Sequence, residues 1–179
     1  MTGRADRTRR LVLMRHAKAE HGAHGPDALR DLTEDGRDQA ARAGQALAAR
    51  GLVPELALVS PARRTRETWR LLAGAFALEP ETDLRDELYG AMPGTVLETV
   101  RGLDERVRTV LVVGHEPTIS RSAQLLASPD STPEVLDRVA LGVPTATFAV
   151  LELPGPWVGL DPGTARLVDV VVTPVHPAR

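Results

Sequence analysis

Short, uninterrupted apolar runs, each closed by a polar turn and followed by a segment of helical periodicity, set the pattern of the chain as far as Leu126. The strands read from them are Arg9 to Met14, apolar from Leu11, then Leu56 to Val59 and Thr109 to Val113. Runs this short suit buried strands of a parallel sheet, where helices cover both faces. Residues 15–32 contain Gly22, Gly25 and Pro26 and read as a long loop. Thr33 is then placed to cap a helix whose first turn carries Glu34 and Asp35. Ala40, Ala43, Gly44 and Leu47 give that helix a small-residue apolar face, and Gly51 ends it near Arg50. Ser60-Pro61 closes the second run before a helix over about 62–77. Residues 81–90 read as a short extended stretch and a turn, and Pro93-Gly94 precedes a short helix over 95–103. Gly114-His115-Glu116-Pro117 closes the third run before a helix over 118–126. Residues 127–134, rich in Ser, Pro and Asp, read as loop. Two final strands, 146–153 and 165–172, are close enough in sequence to pair antiparallel.

Three strand–turn–helix units before a β-rich end predict an α/β fold, a mostly parallel central sheet covered by helices on both faces. No repeat or linker divides residues 1–179, so the chain reads as one domain. Its polar first eight residues and its proline-rich end from Pro174 read as loose tails.

Composition narrows the function. Charged residues are 26% and hydrophobic ones 42%, usual for a soluble globular protein. A net charge of -2 gives no reason to expect nucleic acid or a membrane surface as partner. No apolar stretch approaches the ~20 residues of a membrane span, and the run after the basic N-terminus is too short for a secretory signal. The absence of cysteine excludes disulfides, thiolate chemistry and cysteine-ligated metals. A cytoplasmic protein is expected; oligomeric state is not legible.

The reactive residues stand at strand ends. The first run ends in Arg15-His16, the second leads to Ser60-Pro61-Ala62-Arg63-Arg64, and the third ends at His115. In an open α/β sheet, ligands bind beyond the carboxyl ends of the strands. Adjacent parallel strands would gather two histidines and two or three arginines in one crevice. Pro117 in the first turn of the next helix would leave N–H groups near His115 free for an anion. Fixed guanidinium forks suit a phosphoryl group. A neutral imidazole is a competent nucleophile toward it, so His16 could carry a phosphohistidine intermediate with the arginines stabilising the transferring oxygens.

The same residues resemble the signatures of the histidine phosphatase superfamily, which includes the phosphoglycerate mutases. Arg15-His16-Ala17 resembles its Arg-His-Gly, SPARRTRET its second-arginine segment in a register that selects Arg64, VVGHEP the segment with the second histidine, and LTEDG a helix start. The segments occur in the family's order. The resemblance implies a three-layer α/β/α sandwich and no metal or cofactor. It implies His16 as nucleophile, with Arg15, Arg64 and His115 binding the phosphoryl group. The RHAK form and the small size are most similar to SixA-type phosphohistidine phosphatases. Ala17 departs from the usual glycine, and Glu67 stands where glutamine is common.

Family members that cleave esters carry an acid near a Tyr-Gly or Leu-Gly pair. Here RDELYGA offers Asp86, or Glu87 beside it, or two ordinary turn carboxylates. An ester gains from a proton donor; a phosphoramidate can lose a neutral imidazole without one. Only about fifty residues separate Arg64 from His115, leaving little for a lid, and an open pocket favours a protein side chain as substrate. Phosphohistidine on a partner protein is therefore the expected substrate. A small phosphomonoester, or a non-catalytic module that binds phosphate or phosphoprotein, are the rivals. Lys18, the chain's only lysine, could add charge at the rim. Arg63 could be a supporting partner, and Arg66 and Arg70 an exposed basic face. His21, His24 and His176 read as solvent-exposed or unassigned, without metal-ligand spacing.

Overall fold

The computed structural model describes residues 8–22 and 25–175. Most of the two expected tails, residues 1–7 and 176–179, therefore lies outside the described residues, as do His24 and His176. In chain order the elements are β1 (Arg9–Arg15), α1 (Glu34–Ala49), β2 (Leu56–Val59), α2 (Arg63–Ala73), β3 (Glu81–Leu84), α3 (Pro93–Arg101), β4 (Thr109–Gly114), α4 (Thr118–Leu126), α5 (Pro133–Ala140), β5 (Phe148–Leu153) and β6 (Arg166–Val171). Short 3₁₀ turns occupy Asp27–Leu29, Asp86–Leu88 and Trp157–Gly159.

The strands form one sheet in the order β3-β2-β4-β1-β5-β6. β3, β2, β4 and β1 run parallel, β5 runs antiparallel to β1, and β6 antiparallel to β5. The pleat sends alternate residues to opposite faces. Leu11, Leu13, Val110 and Val112 pack with residues of α3, α4 and α5. Val12, Met14, Leu111 and Val113 pack with α1 and α2. This is the expected α/β/α sandwich, and it explains why the central runs carry apolar residues without interruption.

Thr33 caps α1 as its sequence predicts, accepting from the Gly36 N–H at 3.0 Å. Gly36 is required there, because a Cβ would overlap the Lys18 carbonyl oxygen, which itself accepts from the Thr33 N–H. Gly44 plays the same part where α1 meets α2 at Leu72. α2 stops four residues earlier than its periodicity suggests, at Ala73 before Gly74. α3 starts at Pro93, a residue well suited to a first helical turn. α5 is absent from the sequence reading altogether. It buries only Val135 and Val139, and its opening Pro133 looks like loop punctuation. No helix among the described residues is long and apolar enough to cross a membrane.

Candidate active site

β2, β4 and β1 are neighbours, so their carboxyl ends open side by side. Arg15 pairs with Gly114 and Val59 with Val113, which makes His16, His115 and Ser60 leave the sheet together. Backbone bonds extend the register one step: the His16 N–H donates to Gly114 O at 3.0 Å and the Ser60 N–H to Val113 O at 3.1 Å. The rings of His16 and His115 stand edge to face with centroids 5.4 Å apart.

His16 is 7% exposed. Its Nδ1 lies 2.7 Å from the Ala17 carbonyl oxygen, which can only accept, so Nδ1 carries the hydrogen and Nε2 keeps its lone pair. Arg64 Nε donates to that Nε2 at 3.3 Å. Burial pushes the His16 pKa down to about 3, aided by His115, Arg64 and Arg15 and opposed by the bond to Ala17. Ala17 does not adopt a positive φ, so the alanine in place of glycine costs no backbone strain. Its N–H donates to Thr68 Oγ1 at 3.0 Å, and Thr68 in turn donates to Arg64 O at 2.6 Å, which locks the His16 turn onto α2.

Arg64, buried in the first turn of α2, also donates from Nη2 to His115 Nδ1 at 3.2 Å. His115 must therefore carry its hydrogen on Nε2, which donates to Ser60 Oγ at 2.7 Å. Burial first, then the Arg64 charge, lowers His115 to about 4, with Asp27 opposing. One guanidinium thus holds both imidazoles in neutral, defined tautomers. Arg15 donates from Nη1 to Val143 O at 2.8 Å, while its buried Nε has no hydrogen-bond partner. A buried charged donor left unpaired is costly, and an oxyanion would satisfy it.

Asp27 and Tyr89 complete the mouth. Arg64 donates from Nη1 to Asp27 O at 2.8 Å and from Nη2 to Asp27 Oδ2 at 3.0 Å. The Tyr89 hydroxyl donates to the same Oδ2 at 2.7 Å, and its ring stands 5.6 Å from that of His115. The Tyr89 hydroxyl chiefly, then Arg64 and Arg30, hold the Asp27 carboxyl at about 2, against the opposing effect of burial. The sequence singled out neither residue for chemistry. Asp27 sits in a loop without periodicity, and Tyr89 served only as a landmark for counting.

The other sequence-selected residues stand apart from this cluster. Asp86 and Glu87 are exposed, and Glu87 reaches Arg85 at 3.5 Å. Lys18 reaches Asp35 in the first turn of α1 at 2.8 Å, an exposed pair. Arg63 pairs with Asp31 at 3.1 Å, while Arg66 and Arg70 form the exposed face expected of them. Glu67 binds Arg37 Nε at 2.8 Å and the Leu32 N–H at 3.2 Å, tying α2 to the loop before α1. The expected helix terminus near His115 is partly occupied. Pro117 lies at the cap position rather than in the first turn. The Ile119 N–H bonds His115 O, and the Glu116 carboxylate takes the Ser120 N–H at 3.0 Å and its hydroxyl at 2.6 Å. Positive charge for an anion comes from arginines instead. Among the described residues no group of three or more His, Asp or Glu side chains is arranged to hold a metal ion.

The two histidines give a pH signature. Both have depressed folded values against an ordinary 6.5. Their neutrality therefore contributes stability that is complete above pH 6.5 and is lost as pH falls toward about 4 and 3. Imidazole ¹⁵N shifts should stay at neutral values from pH 7 to about 5 while the unfolding midpoint falls over the same range. A His16 or His115 ring titrating near 6.5 in the folded protein contradicts this geometry.

Comparisons with known proteins agree with the fold. The sequence model of the histidine phosphatase superfamily (branch 1) matches residues 11–108. An uncharacterized protein of Mycobacterium tuberculosis is 39% identical over 156 residues, 87% of this chain and 96% of that protein. A candidate SixA phosphohistidine phosphatase of Nakamurella multipartitia superposes with a TM-score of 0.80 at 35% identity, covering 93% of this chain and 96% of that one. Its counterpart from Agrobacterium tumefaciens gives 0.75 at 30% identity, over 92% and 98%.

Proposed function

The chain belongs to the histidine phosphatase superfamily, and from that premise we propose that it removes phosphoryl groups through a covalent intermediate on His16, acting on phosphohistidine of a partner protein. The observation that carries the reading is the His16 tautomer. Its Nε2 lone pair is fixed by the Nδ1 bond to Ala17, stays unprotonated at neutral pH, and faces the Arg64 guanidinium.

In the first step His16 Nε2 attacks phosphorus while the bond to the leaving group breaks. Arg64 Nε, now on Nε2, turns to a phosphoryl oxygen, and Arg15 Nε finds its missing acceptor in another. A dianion beside His115 reverses the sign of its surroundings and favours the protonated ring, which can then donate from Nδ1. Water next attacks the phosphoenzyme, releasing inorganic phosphate and returning Nε2 to its resting form. The arginines serve both steps, because phosphoryl transfer is mostly positioning and charge stabilisation.

The placement of the nearby carboxylates supports the substrate class. Asp27 is ionised, and Asp86 and Glu87 lie exposed outside the hydrogen-bonded group, so none is poised to protonate an alkoxide. Phosphohistidine needs no such donor. The half-exposed mouth at Asp27 and Tyr89 suits a side chain presented on a protein surface, and the likeness to the Nakamurella protein supports the same substrate. A small-molecule phosphomonoesterase with the same nucleophile is the second reading. The test is kcat/KM on a phosphohistidine peptide against an aryl phosphate. The phosphoramidate should be preferred by at least about tenfold; preference for the ester supports the second reading.

A further inference from the structure

Asp27 is out of place in a pocket for anions. Its carboxylate stands at the mouth between Arg30 and Arg64, where a phosphoryl group would be repelled by it. Yet it is firmly held: Oδ2 accepts from Arg64 and Tyr89, and Oδ1 accepts from Arg30 Nε at 2.9 Å. Each carboxylate oxygen can accept about two hydrogen bonds. Oδ2 is therefore full, while Oδ1 has capacity for one more bond on a half-exposed side chain. Proton donation does not explain the residue, since Tyr89 and the arginines keep it ionised.

Resting on the phosphohistidine reading above, we infer that Asp27 is a specificity residue that receives the leaving ring: its carboxylate accepts the N–H of the substrate's phosphorylated imidazolium. The proton sits on the ring nitrogen remote from phosphorus. As the bond from His16 Nε2 to phosphorus forms, the P–N pair returns to the ring nitrogen, and the ring departs as neutral imidazole still carrying that proton. Atoms and charge balance without an acid. The carboxylate favours the cationic ring before bond cleavage and so favours the state from which departure is easiest. A phosphomonoester brings no compensating cation. It meets only repulsion from Asp27, first on the dianion and then on the emerging alkoxide. Attraction to one substrate and repulsion of the other reside in the same group, which is how a site separates close competitors.

The experiment compares full-length wild type, Asp27→Asn and Asp27→Glu on a phosphohistidine peptide and on p-nitrophenyl phosphate. Asp27→Asn should lower kcat/KM for the peptide by about tenfold or more and raise it for the aryl phosphate by about two- to fivefold. Asp27→Glu should restore the wild-type order of preference. Changes of the same sign and size on both substrates would overturn the inference, because loss of a loop anchor or of a plug on Arg64 acts on both alike. Should Asp27→Asn disturb the imidazole ¹⁵N spectrum, Asp27→Glu decides: it keeps the carboxylate charge and must keep the peptide preference, and loss of that preference sinks the inference. Wild type that turns over the ester but not the peptide removes the substrate reading itself. Wild type active on the peptide, with parallel changes in Asp27→Asn, removes only the role of Asp27.

Discussion

His16→Asn should reduce kcat/KM for every phosphorylated substrate by at least about 10⁴-fold, with the fold intact. The asparagine amide can still donate to the Ala17 carbonyl that now takes the His16 Nδ1 hydrogen. What disappears is the unprotonated Nε2 aimed at phosphorus. Because Arg64 and His115 remain, the variant should still bind inorganic phosphate. That separates loss of a nucleophile from loss of a pocket, and steady-state kinetics with phosphate binding by calorimetry measures both. Activity within about a hundredfold of wild type would move the nucleophile elsewhere.

Arg64→Ala should cost about 10³-fold in kcat/KM, and Arg64→Lys should recover little of it. Arg64 touches His16, His115 and Asp27 together, from Nε, Nη2 and both Nη groups respectively. A single ammonium cannot span those partners. The substitution also removes a cation that depresses both imidazoles. His16 and His115 should therefore titrate at higher pH in Arg64→Ala than in Arg64→Lys, which keeps a cation, an effect read by ¹⁵N shifts. Unchanged titrations with full activity would leave Arg64 as a structural residue of α2.

The central strands and the gathering of His16, Arg64 and His115 were legible because a buried parallel strand must be apolar throughout and must release its polar residues at its end. Thr33 was legible because a cap is a local bond. α5 was not, since two valines four residues apart give too little periodicity to separate a short helix from a loop. Asp27 was hidden for a different reason. It meets Arg64 only through tertiary folding of a segment rich in Gly and Pro, and no local spacing marks such a meeting. The Glu116 carboxylate likewise overrode the expectation of a free helix terminus, because a side chain one residue beyond His115 folds back onto Ser120.

These expectations all descend from the proposal that a neutral imidazole nitrogen, oriented from behind by a backbone carbonyl and faced by a guanidinium, accepts a phosphoryl group. The most direct measurement is rapid mixing with a ³²P-labelled phosphodonor, quenching in base, and mapping of the label by peptide mass spectrometry. Acid-labile, base-stable phosphate on His16, absent in His16→Asn, is the predicted result. Turnover in wild type with label on another residue, or with no phosphoenzyme at any time point, would contradict it.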